Sequence, residues 1–474
     1  MNVRTRFAPS PTGKLHIGGV RTALFAWLVA RQHDGDFILR IEDTDRARYE
    51  EGAEQQIIDS LNWIGIDIDE SPVNPGKYGP YRQSERLDLY TKYAQKLVDE
   101  GRAYADPSSP EQLQEWRDAA KAEKRPFHFN DHRPQDPPAW QPGMTLRLKI
   151  DTKRSPDWQD AIRGKQQGST ENIDDFILMK SDGYPTYNFA HIIDDHEMGI
   201  THVIRGDEFI SSMPKFLILH DALGFDWPTF AHVPPILAPT GNKKLSKRDG
   251  AVDVLEYRDK GYPPAAVMNF LVLIGWNDGT ETEIYTTEEL IDAFELTRVQ
   301  KSSARFDPDR LNWISGHHIR SMELEELHGR VSPFWPQAAA TSDEDNKKQI
   351  LSLVHERLKF YTELPELTSF FFTAPEITIK QIFEQDKQLR KKLDHETATN
   401  FLSKTVESLQ NIEFNEDQLE STLRELVEKL DTKAGLLFKL IRWGITGSIF
   451  APGLFETLAT LGKDESLRRL EAVQ

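Results

Sequence analysis

The chain has 474 residues, room at about 100–200 residues per domain for roughly three to five compact units. Hydrophobic residues make up 38%, with 25 Phe, 12 Tyr and 10 Trp, so several cores can form and a disordered chain is not expected; with no Cys at all, disulfides, thiolate chemistry and the commonest structural zinc sites are excluded. A formal net charge of −18 argues mildly against a nucleic-acid partner, because phosphate contacts need Lys and Arg, although a basic strip can sit on an acidic body that then limits non-specific binding.

The N-terminus leads straight into strand-like sequence without a charged-then-apolar leader, so no signal peptide is expected. Residues 3–8 alternate as a strand, and Pro9-Ser10-Pro11-Thr12-Gly13 breaks it. Over residues 16–32, Val20, Leu24, Trp27 and Leu28 recur at helical spacing. Residues 37–41 read as a second strand, followed by Glu42-Asp43-Thr44-Asp45, and residues 55–64 as a helix with Ile57, Ile58, Leu61 and Ile64 on one side. Strand, helix, strand, helix predicts an α/β unit with a parallel sheet.

Between about residues 101 and 181 the texture changes. Pro107, Pro110, Pro126, Pro134, Pro137, Pro138 and Pro142 interrupt it, around a strand-like stretch at 145–150. This reads as an α+β insertion into the α/β domain. The α/β pattern resumes with residues 176–179, 202–205 and a helix at 214–223. From about residue 253 helices dominate, and beyond 322 the chain is nearly all helical in pattern, punctuated at 444–447 and at Ala451-Pro452-Gly453. The longest apolar stretch, near residues 270–276, is far short of the ~20 residues that span a bilayer, so no membrane partner is expected.

Two stretches carry chemistry. Phe7 to Gly19 is a strand, a tight turn and a helix start, where free N–H groups and the positive dipole end favour phosphate. Gly18 and Gly19 let a ligand approach the backbone, and His16 can donate to a phosphate oxygen. By itself His-X-Gly reads more readily as a structural turn. The second stretch, Lys243-Lys244-Leu245-Ser246-Lys247-Arg248, puts four cations and a hydroxyl in six residues. Such a loop can close on a triphosphate, although alone it reads more readily as a solvated basic loop.

Together, His16-Ile17-Gly18-Gly19 and Lys244-Leu245-Ser246-Lys247-Arg248 resemble the HIGH and KMSKS signatures of class I aminoacyl-tRNA synthetases. The stretches Arg6-Phe7-Ala8-Pro9-Ser10, Arg40-Ile41-Glu42-Asp43-Thr44-Asp45, Gly79-Pro80-Tyr81-Arg82-Gln83-Ser84-Glu85-Arg86, Tyr184-Pro185-Thr186-Tyr187-Asn188-Phe189-Ala190 and Thr201-His202-Val203-Ile204-Arg205-Gly206-Asp207-Glu208 narrow the resemblance to glutamyl-tRNA synthetases. Thr446-Gly447-Ser448 and Pro452-Gly453-Leu454-Phe455-Glu456 resemble the helical anticodon region of their bacterial form, so the likeness covers nearly the whole chain.

The resemblance implies a Rossmann-type catalytic domain in two halves, residues 1–100 and 181–240. Residues 101–180 would be an acceptor-end insertion, 241–320 a stem-contact domain with the KMSKS loop, and 321–474 an all-α anticodon-binding region of two subdomains. It implies ATP-dependent joining of L-glutamate to tRNA(Glu) through glutamyl-adenylate, with AMP and diphosphate released. ATP would arrive with Mg²⁺, and no structural zinc is expected. His16, Lys244 and Lys247 would be catalytic; His16, Gly18, Gly19, Glu208, Lys244, Ser246 and Lys247 would hold ATP. Arg6, Ala8, Ser10, Glu42, Tyr187 and Arg205 would hold glutamate, with the two arginines on its side-chain carboxylate because guanidinium offers planar paired donors. Glu42 and Ser10 would take its ammonium group. Arg357 would contact the anticodon, whereas Trp313 reads as core. The enzyme is expected to be a cytoplasmic monomer.

Phe209, Ser212 and His191 depart from the family's usual pattern, and His128 and His132 stand in the insertion where some relatives carry a cysteine zinc knuckle. Charging of tRNA(Gln) as well, or a catalytically inactive RNA-binding role, are the rival readings. The short paralogue and the glutaminyl branch fit poorly, because one lacks the helical half and the other carries β-barrels in its place.

Overall fold

Apolar residues on every side of the first helix set the architecture. The computed structural model describes residues 2–151, 155–171, 173–245 and 253–473. Strand β1 (Arg4–Phe7) leads into α1 (Ile17–Gln32), whose Val20, Ala23, Leu24, Phe25, Ala26 and Leu28 are wholly buried. A helix apolar all round must be covered all round. One side of α1 lies on the sheet, and the other meets helices Pro264–Leu273 and Thr287–Ala293. Strand β2 (Asp36–Leu39) is likewise an unbroken buried run, Phe37-Ile38-Leu39, as expected of a parallel strand covered on both faces. Helix α2 (Ala53–Ile64) stops at Gly65, whose left-handed φ of 90° closes it.

The chain then makes α3 (Leu87–Asp99), β3 (Ala103–Ala105), α4 (Pro110–Ala122) and β4 (Leu146–Leu148). After these come β5 (Asp157–Asp160), β6 (Gly164–Gln167), β7 (Ile177–Met179), α5 (Tyr187–Glu197), β8 (His202–Gly206), α6 (Met213–Leu223) and β9 (Thr229–Val233). The main sheet runs β2-β1-β8-β9-β5-β6, parallel except for edge strand β6. Strands β3, β4 and β7 form a separate antiparallel sheet.

Two sequence expectations are corrected here. The strand at 177–179 does not resume the parallel sheet but pairs with β4 in the smaller one. Conversely, the β5–β6 hairpin, within the stretch read as an insertion, joins the main sheet through β9. Both errors concern strand partnership. Residues 157–160 alternate exposed and buried, which marks a strand without saying which sheet it joins.

The chain forms two compact units, residues 1–259 with 264–311, and 260–263 with 312–474. The second is helical and has two cores, one around Ile319, Leu327, Leu351 and Leu358, the other around Leu402, Leu423, Leu440 and Leu458. Trp313 is not core: it is 45% exposed against His317, because its helix, Pro308–Arg320, turns Ile314, Ser315 and Ile319 inward instead. Among the described residues no helix is long and apolar enough to cross a membrane.

Leu24 has no exposed surface. Leu24→Ala should cost about 2–5 kcal/mol in chemical denaturation; a loss well under 1 kcal/mol would show that α1 is not the packing centre.

Candidate active site

β1 passes through α1 to β2 on one side and has β8 as its other neighbour. In a parallel sheet such a reversal opens a crevice at the carboxyl ends of the two strands. Two cavities occupy it. The first, about 460 Å³, is lined by Arg6, Ala8, Ser10, Glu42, Tyr187, Arg205 and Phe209 among others. The second, about 490 Å³, is lined by His16, Gly18, Gly19, Arg21, Lys244 and Leu245 among others. Gly19, Thr22, Gly206 and Glu208 line both, so the chambers adjoin. A Cβ at Gly206 would fall 2.2 Å from Glu208 Oε2, so the Glu208 carboxylate packs directly over this glycine in the shared wall.

Buried charge holds the first chamber. Arg6 Nε and Nη2 donate to the two oxygens of Asp195 at 3.0 and 3.3 Å. Arg40, fully buried, donates to Asp195 at 2.8 Å and to Glu42 at 3.1 Å. Neighbouring Asp194 accepts from Gln83, Arg86 and Tyr90. Burial opposes ionisation of Asp195, but Arg6 and Arg40 hold its carboxyl well below the usual carboxylate range. Burial pushes the Glu42 carboxyl up to about 7, against the pull of Arg40 and Arg6. Around the chamber Arg6, Arg40, Arg86 and Arg205 face Glu42, Asp194 and Asp195, and Arg48, Asp45 and Glu208 also line it, so with Glu42 ionised the two signs balance.

The second chamber opens on the start of α1. His16 is the helix N-cap: its Nδ1 accepts from the Gly18 N–H at 3.0 Å. Nδ1 is therefore the acceptor, and the proton of a neutral ring is on Nε2. Arg21, inside α1, donates to the carbonyls of Ile274 and Pro234, and burial lowers it to about 10. Lys244 pairs with Leu237 at the chamber's edge, and Asp253 bridges to His16 and meets Lys14 at 3.3 Å. Ser246, Lys247 and Arg248 lie outside the described residues.

Residues 2–313 match the family described as tRNA synthetases class I (E and Q), catalytic domain, and residues 326–474 match an anticodon binding domain. The chain is 42% identical to Glutamate--tRNA ligase 1 of Caldanaerobacter subterraneus, covering 99% of this chain and 97% of that one. It is 42% identical to the glutamate--tRNA ligase of Roseiflexus, covering 100% and 96%. A crystal structure of a glutamate tRNA ligase from Elizabethkingia meningosepticum, in complex with its amino acid, superposes with a TM-score of 0.89 at 34% identity, covering 100% and 99%. The chain belongs to the class I tRNA synthetases, in the branch of the glutamate–tRNA ligases.

In this synthetase the three departing residues fall in different places. Phe209 lines the first chamber, stacked on Tyr187 at 5.5 Å with the Arg205 guanidinium 5.0 Å from its ring. His191 is buried behind Tyr187, stacked at 4.6 Å, with neither ring nitrogen hydrogen-bonded and Nδ1 3.9 Å from Asp195. Burial lowers it to about 3, so it is neutral. Ser212 lines neither chamber. Asp43 pairs with Arg46 and caps the Ser84 N–H, a structural role, while Asp45 lines the first chamber. In the helical unit, Arg357 donates to the Ala451 carbonyl at 2.6 Å. Burial and Arg357 together lower Arg442, with Glu456 nearby, and Phe450, which precedes Ala451 in the chain, is 70% exposed.

Sequence reading missed Asp195, Arg40 and Arg21. One signal was available: Arg40 and Asp194-Asp195 are charges directly following apolar runs, Phe37-Ile38-Leu39 and Ile192-Ile193, where only a buried partner permits them.

Glu42 is raised from its ordinary 4.5 to about 7, so its contribution to stability is present below 4.5 and lost as pH rises through 7. Glu42→Gln should therefore gain melting temperature on the parent between about pH 5 and about pH 8. Differential scanning fluorimetry checks this; a constant offset would contradict the burial argument.

Proposed function

We propose that the enzyme charges tRNA(Glu) with L-glutamate in two steps. In the first, the α-carboxylate of glutamate attacks the α-phosphorus of ATP; the new P–O bond forms as the bond to diphosphate breaks. In the second, a ribose hydroxyl of the terminal adenosine takes the glutamyl group and AMP leaves. The attacking carboxylate is already ionised at neutral pH, so no general base is needed in the first step. Catalysis then consists of placing two substrates and neutralising phosphate charge.

The observation that carries this reading is the pair of adjoining chambers, one lined by Arg6, Glu42 and Arg205 and the other by His16, Gly18, Gly19 and Lys244. Glutamate carries two negative charges and one positive, and the first chamber offers groups of both signs, Arg6 and Arg205 against Glu42. Arg6 and Arg205 would hold the side-chain carboxylate with the Tyr187 hydroxyl, and Glu42 and Ser10 the ammonium group. An ammonium on Glu42 draws its pKa back down. Ala8 gives the backbone room. In the second chamber Gly18 and Gly19 would admit the adenosine end, Glu208 would face both substrates, and the His16 Nε2–H, Lys244, Ser246 and Lys247 would meet phosphates. Mg²⁺ would enter with ATP as its phosphate complex. Among the described residues no cluster of three His, Asp or Glu side chains could hold the ion.

The sheet of β3, β4 and β7 would take the acceptor end. The exposed Phe450, next in the chain to the Ala451 carbonyl that Arg357 holds, offers a stacking face for an unpaired base. The enzyme would act as a cytoplasmic monomer.

The test is aminoacylation of purified tRNA(Glu) and tRNA(Gln) with labelled glutamate. Charging of tRNA(Glu) alone is expected; charging of neither would remove the reading, and charging of both would widen it. Phe450→Ala should weaken tRNA binding by roughly 5–100-fold in a filter assay while leaving glutamate binding intact. Unchanged tRNA affinity would move the base contact elsewhere.

A further inference from the structure

A buried aspartate and histidine stand behind Arg205, and neither of them lines either chamber. His232 on β9 has no exposed surface, and its Nδ1 lies 2.5 Å from Asp160 Oδ2 on β5. The other oxygen, Oδ1, is occupied: it accepts from the backbone N–H groups of Ile162 at 3.0 Å, Arg163 at 2.8 Å and His232 at 3.4 Å. A carboxylate at Oδ2 only accepts, so the single proton of a neutral imidazole belongs on Nδ1. The His232 Nε2 lone pair then faces β8 and accepts from Arg205 Nε at 3.1 Å. Arg205 Nη2 meets Met213 Sδ at 3.0 Å, and Nη1 is buried without a hydrogen-bond partner. Phe209, Phe216 and Phe230 surround the guanidinium at 5.0, 4.7 and 5.9 Å.

We propose that Asp160 and His232 are positioning residues for substrate recognition: Asp160 fixes the His232 tautomer, and His232 Nε2 holds the Arg205 guanidinium so that its unpaired Nη1 meets the side-chain carboxylate of glutamate. The proposal rests on the reading that Arg205 holds that carboxylate. It also accounts for the β5–β6 hairpin joining the main sheet, since only that strand pairing brings Asp160 under His232. The guanidinium is walled by aromatic rings with only the Tyr187 hydroxyl beside it in the chamber, so the acceptor at Nε is what holds it from behind.

Asp160→Asn separates this role from a structural staple. Its amide oxygen must still serve Ile162 and Arg163, which turns the NH₂ toward His232 Nδ1. The imidazole proton then moves to Nε2 and faces the Arg205 Nε–H, donor against donor. Calorimetry with glutamate and with ATP, on Asp160→Asn, Arg205→Ala and the double variant, reads the outcome. Expected are a glutamate affinity lower by about tenfold or more in Asp160→Asn, ATP affinity within about twofold of the parent, and no further loss when Asp160→Asn is added to Arg205→Ala. Loss of melting temperature with glutamate affinity kept, or losses that simply add in the double variant, would overturn the proposal. Arg205→Ala with unchanged glutamate affinity would instead overturn the assignment of Arg205 itself, and the proposal with it. If Asp160→Asn does not fold, ¹⁵N spectra of histidine-labelled parent enzyme near neutral pH decide, with His232→Gln identifying the signal. An Nδ1–H ring with bare Nε2 supports the proposal, and an Nε2–H ring refutes it.

Discussion

Asp195, near the end of α5, accepts hydrogen bonds from Arg6 of β1 and from Arg40, which follows β2. Charges taken this far from water are tolerated only when each meets an opposite charge in good geometry. Arg40 has no exposed surface, so Asp195, Asp194 and Glu42 are its compensation, and it is theirs. Removing Arg40 or Asp195 leaves the charges around it uncompensated in low dielectric, a loss of about 3–5 kcal/mol. This mutual need ties together β1, β2 and α5, elements far apart in sequence, and it fixes where Arg6 and Glu42 stand in the first chamber.

The same constraint sets the chamber's electrical character. Glu42 shares Arg40 with two other carboxylates, and burial raises its pKa to about 7. A carboxyl so poised is well suited to meet a substrate ammonium group. His191, which packs on Tyr187 behind the chamber wall, stays neutral, so the charge balance there is set by arginines and carboxylates alone. The second chamber owes less to charge and more to backbone. The start of α1 presents N–H groups, and His16 uses one ring nitrogen to cap the helix while the other carries its proton. Capping thus selects the tautomer that can donate to phosphate.

Much of the site was legible because its residues fall in short local stretches. His16-Ile17-Gly18-Gly19 and Lys243-Lys244-Leu245 are contiguous, and the structure brings His16, Gly18, Gly19 and Lys244 to one chamber. Arg6, Ser10, Glu42, Tyr187 and Arg205 come from four separate segments, each readable through its likeness to a family, and they too meet in one chamber. The supporting charges were not legible in the same way. Asp160 lies in a stretch whose alternation marks a strand, yet nothing in residues 157–160 says that the partner is β9 rather than β4. Trp313 failed for a related reason: the helical period identifies a face, but which face is buried depends on what packs against it.

The sequence by itself determined the alternation of strands and helices in the first third, the helical character of the last third, and the short motifs whose residues meet in the two chambers. These rest on local spacing, and local spacing is preserved along a chain. Tertiary structure alone decided the sheet order β2-β1-β8-β9-β5-β6, the crevice that this order opens, and the arginine–carboxylate cluster and Asp160–His232 pair behind it. Strand pairing and buried charge compensation join residues up to about two hundred positions apart, as Arg6 and Asp195 illustrate. Their energy depends on who the partner is, and that no residue's neighbours in sequence can state.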